Sequence, residues 1–166
     1  KFFQESLLNN IGALAISSDG NEIAVSLNHF ILLYNNKLKP YFIIENKEKP
    51  GFLKFSPDGT RLLTGSIKSG EDPHHCYVFQ KDGSDWKEYT SFDLHKQSVI
   101  TGGFVNNNQM VTAGGANDEV CYWETKAKGE KPVLINKMFG IGTTKHAVAL
   151  KDDNIAFTDT WTANQG

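Results

Sequence analysis

The 166-residue chain is poor in the features that most directly announce a function. No stretch approaches the roughly 20 consecutive apolar residues that a membrane-spanning helix needs, and Lys1 to Asn10 lacks the charged start and apolar core of a secretory leader. Membrane association is therefore not expected. The formal charge is only −2, with Lys and Arg scattered along the chain rather than gathered in a basic stripe, which excludes nucleic acid as a main partner. There are two cysteines, Cys76 and Cys121, each inside an apolar run beside an aromatic residue, where a thiol behaves as a small hydrophobe. No disulfide framework is expected, and a reducing, cytoplasmic setting is. No segment sustains a helical period.

Catalytic and ligand motifs are also missing. There is no G-x-S-x-G elbow. Gly140 Ile141 Gly142 Thr143 Thr144 Lys145 looks superficially like a phosphate loop, but it lacks the four-residue spacing between glycines and a Lys directly after the second. His74 His75 Cys76 is the one run of metal-capable side chains, and adjacent strand residues point to opposite faces, so they do not converge on one ion. Neither a metal site nor a cofactor is expected.

What is present is repetition. Ala13 Leu14 Ala15 Ile16 Ser17 Ser18 Asp19 Gly20 Asn21 Glu22 Ile23 Ala24 Val25 matches Phe52 Leu53 Lys54 Phe55 Ser56 Pro57 Asp58 Gly59 Thr60 Arg61 Leu62 Leu63 Thr64 as strand, Asp-Gly turn, strand. A third copy runs from Val99 through Phe104, turns at Asn106 to Asn108 and resumes at Met110. A fourth turns at Asp152 to Asn154 between Ala147–Leu150 and Ile155–Phe157. The steps are 39, about 49 and about 45 residues. Further short runs rich in β-branched and aromatic residues lie between the hairpins: Phe30–Tyr34, Tyr41–Ile44, Cys76–Phe79, Trp86–Phe92, Val120–Trp123 and Val133–Ile135. Each repeat thus holds four strands, and the class is all-β. The innermost strands, such as Leu14–Ser17 and Leu53–Ser56, are short and apolar, which predicts that both their faces are covered.

The third repeat carries the most specific pattern: Leu94 His95 Lys96 Gln97 Ser98 Val99, a hairpin, then Asn117 Asp118 Glu119 Val120 Cys121 Tyr122 Trp123 Glu124. It resembles the Gly-His to Trp-Asp unit of WD40-repeat proteins, with Leu94 and Glu124 replacing the Gly and the final Asp. The resemblance implies a β-propeller with a hydrogen-bonded tetrad formed by His95, a second-strand hydroxyl, a turn acceptor and Trp123. Counting back from Trp123 reaches Ala113, with Thr112 beside it as the hydroxyl, and Asn117 or Asp118 supplies the acceptor. In the other repeats Tyr34 and Phe79 replace the Trp.

On this reading the chain is about three full four-stranded blades plus parts of two more, with pieces at residues 1–10, 11–45, 51–93, 98–137 and 145–166. A ring of 4 to 8 blades needs more chain than this. The sequence is therefore expected to be a segment of a longer propeller, or one of two copies closing a ring as a homodimer, with raw edges and a half-covered inter-blade face. The resemblance implies a non-catalytic scaffold that binds protein partners on loops at one end of the blades. Lys68, Glu71, Asp72, His74 and His75, in the insertion of the second repeat, are the candidate partner-binding loop. A second similarity, of Lys137 to Thr160, is to the last repeats of bacterial WD40 proteins that accompany caspase-like peptidase domains; it implies the alternative of a regulatory or sensing module in a multidomain enzyme. A central-channel enzyme is a third alternative, disfavoured because the inner strands carry mainly Ala, Leu, Phe and Gly.

Overall fold

A computed structural model describes residues 11–67, 74–115, 119–139, 145–151 and 154–159. The described residues are strands and tight turns with no helix among them, so none is long and apolar enough to cross a membrane. Strands β1 (Ile11–Ile16), β2 (Glu22–Leu27), β3 (Phe30–Asn35) and β4 (Pro40–Glu45) form a first antiparallel meander. Strands β5 (Lys54–Phe55), β6 (Arg61–Gly65), β7 (His74–Asp82) and β8 (Asp85–His95) form a second. Strands β9 (Val99–Phe104), β10 (Gln109–Gly114), β11 (Glu119–Glu124) and β12 (Val133–Phe139) form a third, and β13 (Lys145–Lys151) pairs with β14 (Asn154–Asp159). The first strands lie side by side, β1 against β5 and β5 against β9, so the sheets follow one another like blades around an axis.

The inner hairpins are closed by one piece of chemistry used twice. Ser17 Oγ donates to Asp19 Oδ1 at 2.6 Å and accepts the Glu22 amide at 2.9 Å. Ser56 Oγ does the same with Asp58, at 2.6 Å, and with the Arg61 amide, at 2.9 Å. Gly20 and Gly59 both sit at φ +71°, in the left-handed region where a Cβ is costly. In the third blade Asn106 takes over, its Oδ1 accepting the amides of Asn108 and Gln109 at 2.9 Å each.

The second sheet is apolar on both faces because it meets a neighbour on each. Along β7, Cys76 and Val78 point one way, into a core with Phe52, Phe92, Val99, Met110, Cys121 and Trp123, while Tyr77 and Phe79 point the other, into a core with Ile31, Leu33, Ile44 and Leu62. Side-chain alternation on one strand thus joins three blades. Every large side chain buried this way contributes about 1.5–3 kcal/mol. Close approach of the inner strands depends on small residues: a Cβ at Gly102 would lie 2.6 Å from Phe52 Cζ.

Polar ties repeat as well. At one interface Glu22, the first residue of β2, accepts from Tyr41 Oη at 2.6 Å and from Lys81 Nζ of the next blade. At the following interface Arg61, the first residue of β6, donates to Asn107 O at 2.9 Å and Thr125 Oγ1 at 3.1 Å while its guanidinium stacks 4.2 Å from the Tyr89 ring centre.

Two strand expectations need correction. The innermost strand β1 is covered on one face only: Ala15 is buried, whereas Ile11, Leu14 and Ile16 are 61%, 58% and 58% exposed, because no described blade precedes it. The third strand of the second blade begins at His74 rather than Cys76, so His74 and His75 belong to β7 and not to a loop; alternation with Cys76 and Val78 carries His74 into the interior, where it is fully buried. The expected piece at 1–10 lies outside the described residues.

Candidate functional site

Two features bear on function: a buried polar network in the third blade, and a loop surface on the first. The network starts on β10 and β11. Register sets Met110 opposite Trp123 and Thr112 opposite Cys121. With Trp123, Cys121 and Glu119 on one face of β11 by alternation, the indole Nε1 donates to Thr112 Oγ1 at 2.8 Å. His95, the last residue of β8, brings its Nε2 to the same hydroxyl at 2.9 Å. Its Nδ1 faces Oε2 of Glu119 at 3.1 Å, and Lys137 Nζ donates to the other carboxylate oxygen at 2.8 Å. The Glu119 carboxylate can only accept, so the imidazole proton facing it sits on Nδ1, and the Thr112 hydroxyl, which accepts from Trp123, donates to the bare Nε2. His95, Thr112, Glu119 and Trp123 are all buried. The hydrogen bond from His95, opposed by burial and reinforced by the Lys137 ammonium, holds the Glu119 carboxyl at about 2.

The structure therefore joins His95, Thr112 and Trp123 in one chain of bonds. The residue that sequence reading missed is Glu119, which occupies the acid position facing His95; Asn117 and Asp118 lie outside the described residues. Counting by two from Trp123 to Cys121 to Glu119 was the available signal.

In the second blade the same positions are filled differently. Leu62 lies opposite Phe79 and Thr64 opposite Tyr77, so Phe79 stands where Trp123 does and Thr64 where Thr112 does. Phe79 offers no donor, and Thr64 Oγ1 reaches only Gly65 O at 3.4 Å. Outside the strand, Glu48 Oε1 lies 3.2 Å from His75 Nδ1. The Glu48 carboxyl is lowered: burial pushes it up, and bonds from the Ser66 hydroxyl and His75 outweigh that.

The loop surface is built on the β2–β3 turn and the segment after β4. Asn28 takes a positive φ of 53°, and the Asn46 amide donates to His29 O at 2.8 Å, which joins the two loops. An open concavity of about 460 Å³ lies here, lined by His29, Glu45, Asn46 and Lys47. The Asn46 amide group is itself pinned, its Nδ2 donating to Glu48 O at 2.7 Å. Of the candidate partner-binding loop, Lys68, Glu71 and Asp72 lie outside the described residues; His75 is partly exposed at the start of β7, and buried His74 is not a surface residue.

No family model and no curated protein matches the sequence. Solved structures do. The WD40 repeats of RRP9 superpose with a TM-score of 0.68 at 14% identity, over 84% of this chain and 42% of that one. The chain folds as WD40 propeller blades. Sqt1 from Saccharomyces cerevisiae matches at TM-score 0.64 and 10% identity, over 78% of this chain and 35% of that one. A chain of a mitotic checkpoint complex matches at 0.58 and 11%, over 69% and 36%. The chain spans less than half the length of these WD40 structures. The all-β, partial-propeller reading of the sequence thus holds, and the His95 network occupies a WD40 blade.

Proposed function

We propose that this chain is a non-catalytic scaffold that binds a protein partner on the loop end of its WD40 blades, around the concavity of His29, Glu45 and Lys47. The observation that carries the reading is that concavity itself: exposed charged and aromatic-flanked polar side chains mounted on strand ends that two inter-blade cores hold rigid. His29 packs against Phe30 with ring centres 4.1 Å apart, and Lys47, on the segment after β4, is well exposed. The chemistry fits a peptide segment carrying both an acidic and a basic group, matched to Lys47 and Glu45.

The test is comparative affinity capture from cells with the wild type, with His29→Ala/Lys47→Glu, and with Lys87→Glu on the outer strand of the second blade. A protein held by the wild type and the Lys87 variant but lost from the loop-end variant supports the reading. A partner set indifferent to the loop end overturns it.

A second partner is implied by the open side of β1. The contiguous Ile11, Leu14 and Ile16 form an apolar face of the sort that covers an inner strand elsewhere in the chain, and we assign it to the adjoining blade of a closed ring. Solution mass separates the sources of that blade: a stable dimer points to a second copy, and a monomer to further blades of the same polypeptide.

A further inference from the structure

The chain contains three Asp-Gly steps, at Asp19, Asp58 and Asp82. In such a step the glycine amide nitrogen can attack the aspartate side-chain carboxyl, because no Cβ on the glycine stands in the way, and the local turn either blocks or permits the attack. The two inner turns block it from both sides. Gly20 N–H donates to Ser17 O and Gly59 N–H to Ser56 O, each at 2.9 Å, so both nitrogens are tied back into their turns. The carboxyls are tied as well. Asp19 accepts from the Ser17 hydroxyl at 2.6 Å, the Asn21 amide at 3.0 Å and Asn21 Nδ2 at 2.9 Å. Asp58 accepts from the Ser56 hydroxyl at 2.6 Å and from the Thr60 amide and hydroxyl at 3.0 and 2.9 Å.

The third step is built differently. Asp82 and Asp85 form the last rung of β7 and β8, so Gly83 and Ser84 are the whole turn, and Gly83 takes φ +65°. Asp82, Gly83 and Ser84 are all exposed. Among the described residues no backbone oxygen accepts the Gly83 amide, and a Cβ built on Gly83 would meet nothing within 4 Å, which leaves room for a ring to close. The Asp82 carboxyl is held by Lys87 Nζ at 2.7 Å, in a pair whose members are 66% and 54% exposed and which water screens.

We propose that Asp82 is a site of spontaneous covalent modification, isomerising through a cyclic imide with Gly83, while the folded turns protect Asp19 and Asp58. Gly83 N bonds to Asp82 Cγ as the Cγ–OH bond breaks, and the hydroxyl leaves with the amide proton as one water. Hydrolysis returns that water at either imide carbonyl. One product is the original aspartate; the other runs the backbone through Cβ and Cγ and frees the α-carboxylate, with no change in mass or oxidation state. The hydroxyl leaves only from a protonated carboxyl, so the bonds from Ser17 and Asn21 that hold Asp19 at about 2 also slow the reaction there. Lys87, which lowers the Asp82 carboxyl, is a weaker brake of the same kind.

The rerouted turn carries one more backbone atom and cannot keep the Asp82–Asp85 rung in register. The next rung, Lys81 with Trp86, is the one that reaches the first blade: Lys81 Nζ pairs with Glu22 Oε1, and Trp86 Nε1 donates to Tyr41 Oη at 3.1 Å. Isomerisation at the hairpin tip therefore loosens the joint between the first and second blades.

The test is peptide mapping of the folded chain held at neutral pH and physiological temperature over weeks. Chymotryptic cleavage after Phe79 and Trp86 releases a peptide with the Asp82-Gly83 step inside it, and electron-transfer fragmentation distinguishes the rerouted residue from aspartate. Rerouted Asp82 should accumulate at least tenfold faster than rerouted Asp19 or Asp58, and in the urea-unfolded chain the three rates should draw level. Lys87→Ala should speed the reaction at Asp82 severalfold. Accumulation at Asp82 no faster than at Asp19 and Asp58 in the folded chain, the same ranking in urea, or an Asp82 rate unmoved by Lys87→Ala would overturn the proposal.

Discussion

The second and third blades solve one structural problem with the same residue classes placed in opposite order. In the third, the histidine is on the incoming segment, His95, and the acid is on the third strand, Glu119. In the second, the acid is on the incoming segment, Glu48, and the histidine is on the third strand, His75. The incoming segment must be fixed to the third strand for the next inner strand to enter at the right angle, and either order of charge accomplishes it. What the exchange does not preserve is depth. His95 and Glu119 are 1% and 4% exposed, whereas His75 and Glu48 are 39% and 17% exposed. Only the buried pair is extended through Thr112 to an indole, because Phe79 gives the second blade no donor to extend it with.

This comparison can be broken by grafting one blade's solution into the other. Glu119→His, which gives the third blade the residue of the second, sets an imidazole against His95 and strips Lys137 of its partner. It is expected to cost about 3–5 kcal/mol in chemical denaturation, as breaking a buried pair does. Acid should erode the same interaction. The Glu119 carboxyl is depressed in the folded chain, so its contribution is fully present above the ordinary value of 4.5 and lost as pH falls toward about 2. Melting temperatures of the wild type and Glu119→Gln should accordingly converge across that interval and stay apart above it.

The exposed pair should respond more weakly. His75→Glu brings two carboxylates together and should cost about 1 kcal/mol, with Glu48→His in the same chain restoring most of the loss. A double-mutant cycle without that recovery would end the symmetry between the blades. Smallest of all is Lys87→Ala, which removes a pair with Asp82 whose members are 54% and 66% exposed; the variant should unfold in denaturant at the midpoint of the wild type.

How far the fold was legible follows from which signals are local. Ser-x-Asp-Gly turns state their geometry in four residues, and both instances close as hydrogen-bonded turns with glycine at φ +71°. His95, Thr112 and Trp123 could be found because each sits at a countable distance from a turn or an aromatic residue. Glu119 could not be chosen over Asn117 and Asp118 on composition, since all three are acceptors; the choice depends on where β11 begins, which positive-φ Gly114 and Gly115 help to set. His74 looked like loop because histidine and proline interrupt the apolar pattern, and only pairing with His95 across the ladder draws it inside. The exposure of β1 was invisible for a different reason: an apolar inner strand reads alike whether or not a blade covers it.

The central claim is that the third blade is fixed by a buried hydroxyl serving two side chains, where the second blade has the same hydroxyl without those partners. Equilibrium unfolding of Thr112→Val beside Thr64→Val tests it most directly. Removing Thr112 Oγ1 leaves Trp123 Nε1 and His95 Nε2 unpaired in the interior and should cost about 2–4 kcal/mol, at about 1–3 per group before relaxation, while Thr64→Val should change stability by less than about 1 kcal/mol. Equal losses in the two variants would contradict the account.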